Sequence, residues 1–463
     1  MLFIGRRGPV SQVGQWFKEE PTSKSQSLNI GSIYGPGGIG KTFLLDYSIQ
    51  QIDQFDELGY LTLRIDGQKT VQSLEQLVTK ECVERVELPD QANFSFPRLS
   101  ALSKQWSALS QRAEYLIRKE YKEVPQLEEL MLTLLNYGMA PQRALEMRPY
   151  DLALADTSQK ELEQAVESLL KLRPYKIEHQ WFQRFLGKTR NKTLRNALRR
   201  EQAATLADAF VEDFQDLFKQ LKKAKPSSPW EKMRRPRQLL IILDDYESIS
   251  SMMSPFLAEH LVPKLLKASF RTLMVVLGRD SLLATHTSWG QHHRALISDR
   301  LIELKPFEEQ EAYELMRRRG IHDSHIWQRI WEDTQGYPFL LDLECEDELT
   351  GGTSALGLKL FFDRLTRWMT PIQKAWIVPL SFLHEINLET VKKMLPKHDA
   401  SAILDWFKME PSVRDPHAHH WQVIGFVRRR IQQYVRNDSP ERYEKLKKRA
   451  EEIQAASDET RTN

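Results

Sequence analysis

The feature that most constrains the fold of this chain is a glycine-rich octapeptide near its beginning. An apolar, strand-like run from Asn29 to Tyr34 precedes the octapeptide, and an apolar helical run begins at Phe43. The segment fits the pattern G-x-x-x-x-G-K-[ST] without adjustment. Its residues are Gly35, Pro36, Gly37, Gly38, Ile39, Gly40, Lys41 and Thr42. Between a strand and a helix, such a segment predicts a loop that binds the phosphates of a nucleotide.

Each residue type in this loop has a chemical reason. Glycines allow the backbone to turn its N–H groups inward and to approach phosphate oxygens closely. We expect Lys41 to bridge the β- and γ-phosphates, Thr42 to ligate Mg²⁺, and Phe43 to lie at the same nucleotide. No Asn-Lys-x-Asp motif, which would read guanine, is present. The predicted cofactors are therefore ATP or ADP with Mg²⁺.

An acidic turn comes after the apolar run Leu239 to Leu243. Asp244 comes first and is the predicted Mg²⁺ carboxylate, because such loops use an acid at the end of a neighbouring strand. Asp245 and Glu247 compete as the group that orients the attacking water, and we favour Glu247 slightly. A solvated acidic turn is the alternative interpretation.

An arginine stands at the end of another apolar run, Thr272 to Leu277. Arg279 comes directly after Gly278 and could sense the γ-phosphate or neutralise charge that develops during its transfer. The alternative is a surface arginine after a turn. We include Arg279 with Lys41, Asp245 and Glu247 as the candidate catalytic residues.

The wider pattern predicts an α/β fold with a mainly parallel sheet. Strands are expected at 29–34, 60–66, 238–243, 272–277 and 301–304. No convincing strand occurs from 69 to 236, which predicts a large helical insertion, and the strand pattern stops after about 350. The predicted domains are 1–68 and 237–306 for nucleotide binding, 69–236 for the insertion, 307–365 for a helical lid, 366–440 for a winged-helix-like domain and 441–463 for a charged tail.

Composition limits the classes of function without selecting one. The 463 residues carry a net charge of +3, so the whole molecule does not require a nucleic-acid partner. The cationic side chains between Lys188 and Arg200 are more simply explained as a solvated helix face. No apolar run approaches the ~20 residues of a membrane span. We therefore expect no membrane partner and a cytoplasmic location.

With these residues in place, the chain resembles the STAND class of signal-transduction ATPases, relatives of NB-ARC and NACHT proteins. Asp244-x-Tyr246-Glu247 resembles the D-x-Y-E strand end of a bacterial subgroup, and Gly278-Arg279 resembles its sensor arginine. The segment Phe3, Ile4, Gly5 and Arg6 resembles the entry motif of the class. The resemblance implies that the backbone of this segment lies near the adenine.

Two later segments carry the same resemblance. Gly336-Tyr337-Pro338 is similar to the G-x-P motif, which implies that Pro338 packs on the adenine. Residues 371–436 resemble the winged-helix domain of the class. Many relatives have a histidine three residues before the conserved valine, and this chain has Ile424 there, before Val427. That difference puts in doubt the latch that such a histidine forms with ADP.

The resemblance implies a slowly hydrolysing switch. ADP would hold the lid domains closed, and ATP would open them for self-association or for binding a protein partner. The main alternative is an AAA+-like DNA-handling ATPase, such as an initiator or a transposition regulator, although DNA is not favoured. A nucleotide-binding adaptor without significant hydrolysis is a third possibility. No effector or sensor repeat is recognisable, so we expect a partner chain or a longer protein to supply one.

Overall fold

The fold of the chain is taken from a computed structural model. It describes residues 5–18, 27–52, 58–67, 74–85, 94–104, 114, 118, 132, 202–223, 236–350, 355–366, 369, 371–408, 410, 413–415 and 418–462. The candidate residues Phe3 and Ile4, and the cationic segment 188–200, lie outside this set.

A five-stranded parallel sheet forms the centre of the nucleotide-binding region, in the order β2-β3-β4-β1-β5. Its strands are β1 Leu28–Tyr34, β2 Tyr60–Asp66, β3 Gln238–Asp244, β4 Arg271–Gly278 and β5 Leu301–Glu303. The five predicted strands and the α/β fold class are confirmed, with strand ends that differ by one residue. A phosphate-loop sequence after the first strand of such a sheet makes this an α/β P-loop NTPase fold.

The central strands are buried on both faces. Every residue of β3 after Gln238, and every residue of β4 after Arg271, is buried. Apolar runs of this kind are typical of parallel strands that helices cover on both sides. Because the strands are parallel, the carboxyl ends of β1, β3 and β4 lie at one edge of the sheet, where Tyr34 pairs with Gly278.

Helices account for most of the remaining described residues. In the first half of the chain they are α1 Arg7–Lys18, α2 Lys41–Gln50, α3 Leu74–Arg85, α4 Gln202–Lys223, α5 Ser250–Pro255, α6 Val262–Leu265, α7 Leu282–Thr285, α8 Thr287–His292 and α9 Arg294–Ile297. In the second half they are α10 Glu309–Arg318, α11 Ser324–Thr334, α12 Pro338–Thr350, α13 Ala355–Leu365, α14 Pro371–Leu380, α15 Leu388–Met394, α16 Ala400–Lys408, α17 Gly425–Asp438 and α18 Pro440–Thr462.

The described part of the predicted insertion packs on the sheet. Phe214 of α4 is fully buried, and its ring centroid lies 6.4 Å from that of Phe270, just before β4. Asp213, also fully buried, accepts hydrogen bonds from the backbone N–H groups of Arg98 at 3.1 Å and Leu99 at 3.0 Å. A carboxylate that accepts from the first N–H groups of a helix stabilises its N-terminus. Helix α4 therefore belongs to the sheet core and also holds the helical stretch 97–104.

The chain forms two compact units. One contains Gly35–Phe43 with Leu304–Asn463 and Met1–Arg7, and the other contains Gly8–Tyr34 with Leu44–Glu303. In the first unit, an antiparallel bridge joins Arg414 and Val423 after the helices α14, α15 and α16, and the charged tail continues as α18. Within the described ranges, no helix combines the length and the apolar character needed to cross a bilayer.

Candidate nucleotide site

The glycines of the phosphate loop adopt backbone conformations that side chains disfavour. Gly35, Gly38 and Gly40 have φ values of 146°, 77° and 92°. A Cβ at Gly35 would lie 2.7 Å from the Leu304 carbonyl oxygen, which leaves no room for a side chain. The sequence folds into this tight turn because glycine alone tolerates both constraints.

The Lys41 side chain folds back onto the phosphate loop. Its Nζ donates hydrogen bonds to the carbonyl oxygens of Gly35 at 2.8 Å and Pro36 at 3.1 Å, and the residue is 7 % exposed. The ammonium group is therefore held within the loop, where phosphate oxygens could replace these acceptors. This arrangement fits the predicted role of Lys41 as the phosphate ligand.

Two aromatic residues at the start of α12 contact the loop. The Tyr337 hydroxyl donates a hydrogen bond to the Gly37 carbonyl oxygen, and Tyr337 is 5 % exposed. A Cβ at Gly38 would lie 3.0 Å from the Phe339 Cβ. Pro338, the predicted adenine contact, is the half-buried first residue of this helix. The G-x-P segment is thus in contact with the phosphate loop through the residues that flank its proline.

Arg6 lies against the phosphate loop, although it is not among the predicted nucleotide-binding residues. Its guanidinium donates to the Lys305 carbonyl oxygen at 3.1 Å and lies 4.9 Å from the Phe307 ring centroid. A Cβ at Gly40 would meet Arg6 Nη1 at 3.2 Å, so the cation lies against the phosphate loop. Burial lowers the pKa of Arg6 to about 10, although Glu311 acts in the opposite direction. Its position directly after Gly5 in the entry motif was the signal available in the sequence.

The acidic strand end has a defined geometry of its own. Asp244 is the last residue of β3 and is 7 % exposed. Its Oδ1 accepts from the Asp245 N–H at 3.1 Å, and its Oδ2 accepts from Arg64 Nη2 at 2.9 Å. Asp245 has a φ of 48°, a left-handed conformation that aspartate tolerates better than most residues. The chain turns sharply there into the short 3₁₀ helix Tyr246–Ser248.

Tyr246 anchors that 3₁₀ helix in the core. It is 1 % exposed, and its hydroxyl lies 2.8 Å from Ser254 Oγ. Burial raises the pKa of the Tyr246 phenol above its usual range, so the side chain is a neutral, hydrogen-bonded anchor. Fixing Tyr246 also fixes the direction of the neighbouring Glu247.

Glu247 has an unsatisfied acceptor. Its Oε2 is buried and has no hydrogen-bond partner among the described residues. This oxygen lies 3.9 Å from the position of a Cβ on Gly278, at the end of β4. Arg279 is the residue after Gly278 and is half-buried. A buried carboxylate oxygen without a partner is costly unless another group satisfies it, and a water or ligand could do so here.

The donor groups fit the predicted metal. Mg²⁺ prefers hard oxygen ligands and is commonly held through one or two carboxylates and phosphates. The Asp244 carboxylate and the Thr42 hydroxyl are groups of this type, and Thr42 stands directly after Lys41 at the start of α2. We therefore keep both as the candidate metal residues.

A buried isoleucine occupies the position where many STAND proteins have a histidine. Ile424 is 4 % exposed and precedes α17, and its N–H donates to the Val413 carbonyl oxygen at 2.8 Å. Its hydrocarbon side chain offers no hydrogen bond to a phosphate. Any coupling between this region and a nucleotide must use other residues.

Comparisons with known proteins give limited information. No family model matches the sequence, and no curated protein matches it. A crystal structure of Cdc6p from Pyrobaculum aerophilum aligns with 94 % of this chain and 96 % of that chain, at 10 % sequence identity and a TM-score of 0.36. Similarity at this level carries no argument about function, so the fold assignment rests on the sheet and the loop described above.

Proposed function

We propose that this protein is an ATP-binding, slowly hydrolysing regulatory switch of the STAND kind. In this proposal, the ATP or ADP state controls domain opening and, through it, self-association or the binding of a protein partner. The residues that hold Mg²⁺ and nucleotide are the loop Gly35–Thr42, Asp244 and the groups around them.

The observation that carries the proposal is the hydrogen bond from Tyr337 to the Gly37 carbonyl oxygen. It joins the predicted lid to the loop that would surround the β-phosphate. A ligand shifts a conformational equilibrium only if it interacts differently with the two states. Turning the loop amides toward a phosphate changes the environment of the Gly37 carbonyl, so nucleotide binding would alter this contact. In this proposal, the difference between ADP and ATP comes from the γ-phosphate, which only ATP carries and which Arg279 would sense.

The residues of the chain have separable roles in this mechanism. Lys41 binds the phosphates by exchanging its two carbonyl acceptors for phosphate oxygens. Glu247 orients a water with its unpartnered oxygen, and Arg279 neutralises charge at the transferred phosphoryl group. Bound Mg²⁺ would neutralise phosphate charge and favour the in-line geometry. Asp244 would hold the water shell of that metal.

The decisive experiment measures assembly state against nucleotide state. Size-exclusion chromatography with light scattering is run on the wild-type protein with Mg²⁺ and either ADP or a non-hydrolysable ATP analogue. We expect a larger species or a more extended monomer with the ATP analogue. The Lys41→Ala variant should give the same profile with both nucleotides, because it lacks the phosphate ligand. Identical wild-type profiles under saturating nucleotide would contradict the switch.

A second variant tests the contact that carries the proposal. Tyr337→Phe keeps the ring in its buried position and removes only the hydroxyl that donates to Gly37. We expect it to bind nucleotide but to show a smaller difference between the ADP and ATP-analogue profiles. Tyr313→Phe is the matched control, because it removes the exposed hydroxyl that donates to Glu309 at 2.6 Å. That control should behave as the wild type does.

One observation favours the DNA-handling alternative. Helices α15 and α18 contact each other through a hydrogen bond from Arg449 to the Lys393 carbonyl oxygen. Several exposed lysines on and beside these two helices make no ion pair within the described ranges. They are Lys392, Lys397, Lys445 and Lys448. By contrast, α16, the third helix of the proposed winged helix, has one acid and one base, Asp405 and Lys408, which lie 3.7 Å apart. Duplex binding that weakens steeply with salt would support this alternative.

A further inference from the structure

Arg64 connects two carboxylates at the edge of the sheet. Its Nη1 donates to Asp46 Oδ1 at 2.8 Å, and its Nη2 donates to Asp244 Oδ2 at 2.9 Å. The Asp244 side chain is 10 % exposed, whereas those of Arg64 and Asp46 are 35 % and 33 % exposed. We infer that Arg64 is a charge guard: it keeps the Asp46–Asp244 pair from binding a divalent cation until nucleotide phosphates arrive with the metal.

The position of Arg64 is a consequence of the sheet. It lies on β2 two residues before Asp66, which pairs with Asp244 in the parallel ladder. Side chains two residues apart point to the same face of a strand. A guanidinium two residues from the strand end can therefore extend toward the end of the neighbouring strand. Its planar, two-sided donor arrangement suits two separate carboxylates better than a lysine ammonium does.

Charge balance gives this contact a functional consequence. Without Arg64, the carboxylates of Asp46 and Asp244 would lie on either side of the position that its guanidinium now occupies, and two neighbouring carboxylates attract Mg²⁺ or Mn²⁺. The guanidinium cancels one of the two negative charges and occupies one side of each carboxylate. An arginine keeps its positive charge at every physiological pH, so this compensation does not depend on pH.

The contact also holds the Asp244 carboxylate in one orientation. Its Oδ1 accepts from the Asp245 N–H at 3.1 Å, and its Oδ2 accepts from Arg64 at 2.9 Å. Arg64 is thus a positioning residue that lowers cation affinity in the nucleotide-free protein and fixes the orientation of Asp244.

The test measures Mn²⁺ binding to nucleotide-free protein by electron paramagnetic resonance of the free ion. We expect Arg64→Met to bind Mn²⁺ at least ~tenfold more tightly than wild type, because a neighbouring positive charge is removed. Arg64→Lys should remain close to wild type, because it keeps the charge. The double variant Arg64→Met with Asp244→Asn should lose this gain in Mn²⁺ affinity. Unchanged or weaker binding by Arg64→Met would overturn the inference.

Controls separate this effect from general changes in surface charge and from misfolding. Arg317→Met removes an exposed arginine that pairs with Glu314 and should leave Mn²⁺ affinity unchanged. Circular dichroism establishes that each variant is folded. If Arg64→Met does not fold, Arg64→Gln is measured instead, with the same expected gain in affinity and the same contradicting result.

The nucleotide part of this inference rests on the proposed function, whereas the Mn²⁺ measurement does not. Fluorescent ADP binding to the Lys41→Ala variant tests the nucleotide site separately. Unchanged ADP affinity in that variant would refute the proposed function and leave the Arg64 result standing as a property of the two carboxylates. If Arg64→Met gains no Mn²⁺ affinity while Lys41→Ala loses ADP affinity as expected, only the charge guard is refuted.

Discussion

At the scale of single residues, the backbone geometry of the acidic turn gives its neighbouring acids different surroundings. The left-handed conformation of Asp245 turns the chain at the end of β3, and the buried Tyr246 fixes the direction of the short 3₁₀ helix. Asp244 has both oxygens in hydrogen bonds, whereas Glu247 has a buried oxygen without a partner among the described residues. The oxygen of Glu247 without a partner is one that a water could satisfy, which supports the hypothesis that Glu247 orients the attacking water.

The corresponding prediction concerns hydrolysis. Glu247→Gln should slow single-turnover ATP hydrolysis by about 10²–10⁴-fold, the usual contribution of a positioned base. Nucleotide affinity should be almost unchanged, because Glu247 would contact water and not phosphate. Asp245→Asn is the matched control and should slow hydrolysis by less than about tenfold. A Glu247→Gln variant that hydrolyses ATP at the wild-type rate would point to the adaptor without significant hydrolysis.

At the scale of elements, an ion cluster holds α17 against α12. Arg430 donates to Glu344 at 3.0 Å and also to Asp347, and the Arg430 and Glu344 side chains are only 10 % and 11 % exposed. The preceding residue, Arg429, pairs with Asp333 of α11 but is 54 % exposed. A buried ion pair loses more than an exposed pair when one partner is removed, because the remaining charge stays desolvated.

Replacing these arginines should therefore have unequal effects on stability. Arg430→Met should lower the free energy of unfolding by about 3–5 kcal/mol, because it removes the cation that pairs with the buried Glu344 carboxylate. Arg429→Met should cost about 0–1 kcal/mol, as exposed pairs do. Urea unfolding of both variants measures the difference. Equal losses would show that Arg430 contributes no more than a surface pair.

The same cluster predicts a pH dependence. Burial raises the pKa of Glu344, and Arg430 only partly opposes this effect. A carboxyl group whose pKa is raised on folding binds more protons in the folded state, so its contribution to stability falls as pH rises through the raised pKa. Removing Arg430 raises that pKa further. The stability deficit of Arg430→Met should consequently be smaller at mildly acidic pH than at pH 8, and a deficit independent of pH would contradict this account.

At the scale of the whole molecule, each of the two compact units is built from several separate segments of the chain. The loop Gly35–Phe43 belongs to one unit, although the residues immediately before and after it belong to the other. A ligand that binds only the folded protein stabilises it by mass action, by about 2.7 kcal/mol at a concentration of about 100 Kd. We expect the Tm of the wild type to rise with the logarithm of Mg²⁺–ADP concentration.

Two variants make that measurement specific. Lys41→Ala should lose the rise in Tm with ADP, because the phosphate ligand is absent. Arg430→Met should start from a lower Tm and keep the same rise, since the ion cluster is not part of the proposed nucleotide site. An ADP-dependent rise that persists in Lys41→Ala would place the nucleotide elsewhere in the protein.

The sequence by itself determined the α/β fold, the five strands and the loop Gly35–Thr42. These features depend on short-range patterns, namely apolar runs between turn residues and glycines at fixed spacing, which act within a few residues of the chain. Only the tertiary structure showed that Arg64 joins Asp46 and Asp244, that Arg6 lies against Gly40, and that Tyr337 contacts Gly37. Those partners are separated by 18 to 300 residues, and no local pattern specifies which distant side chain folding brings into contact with which.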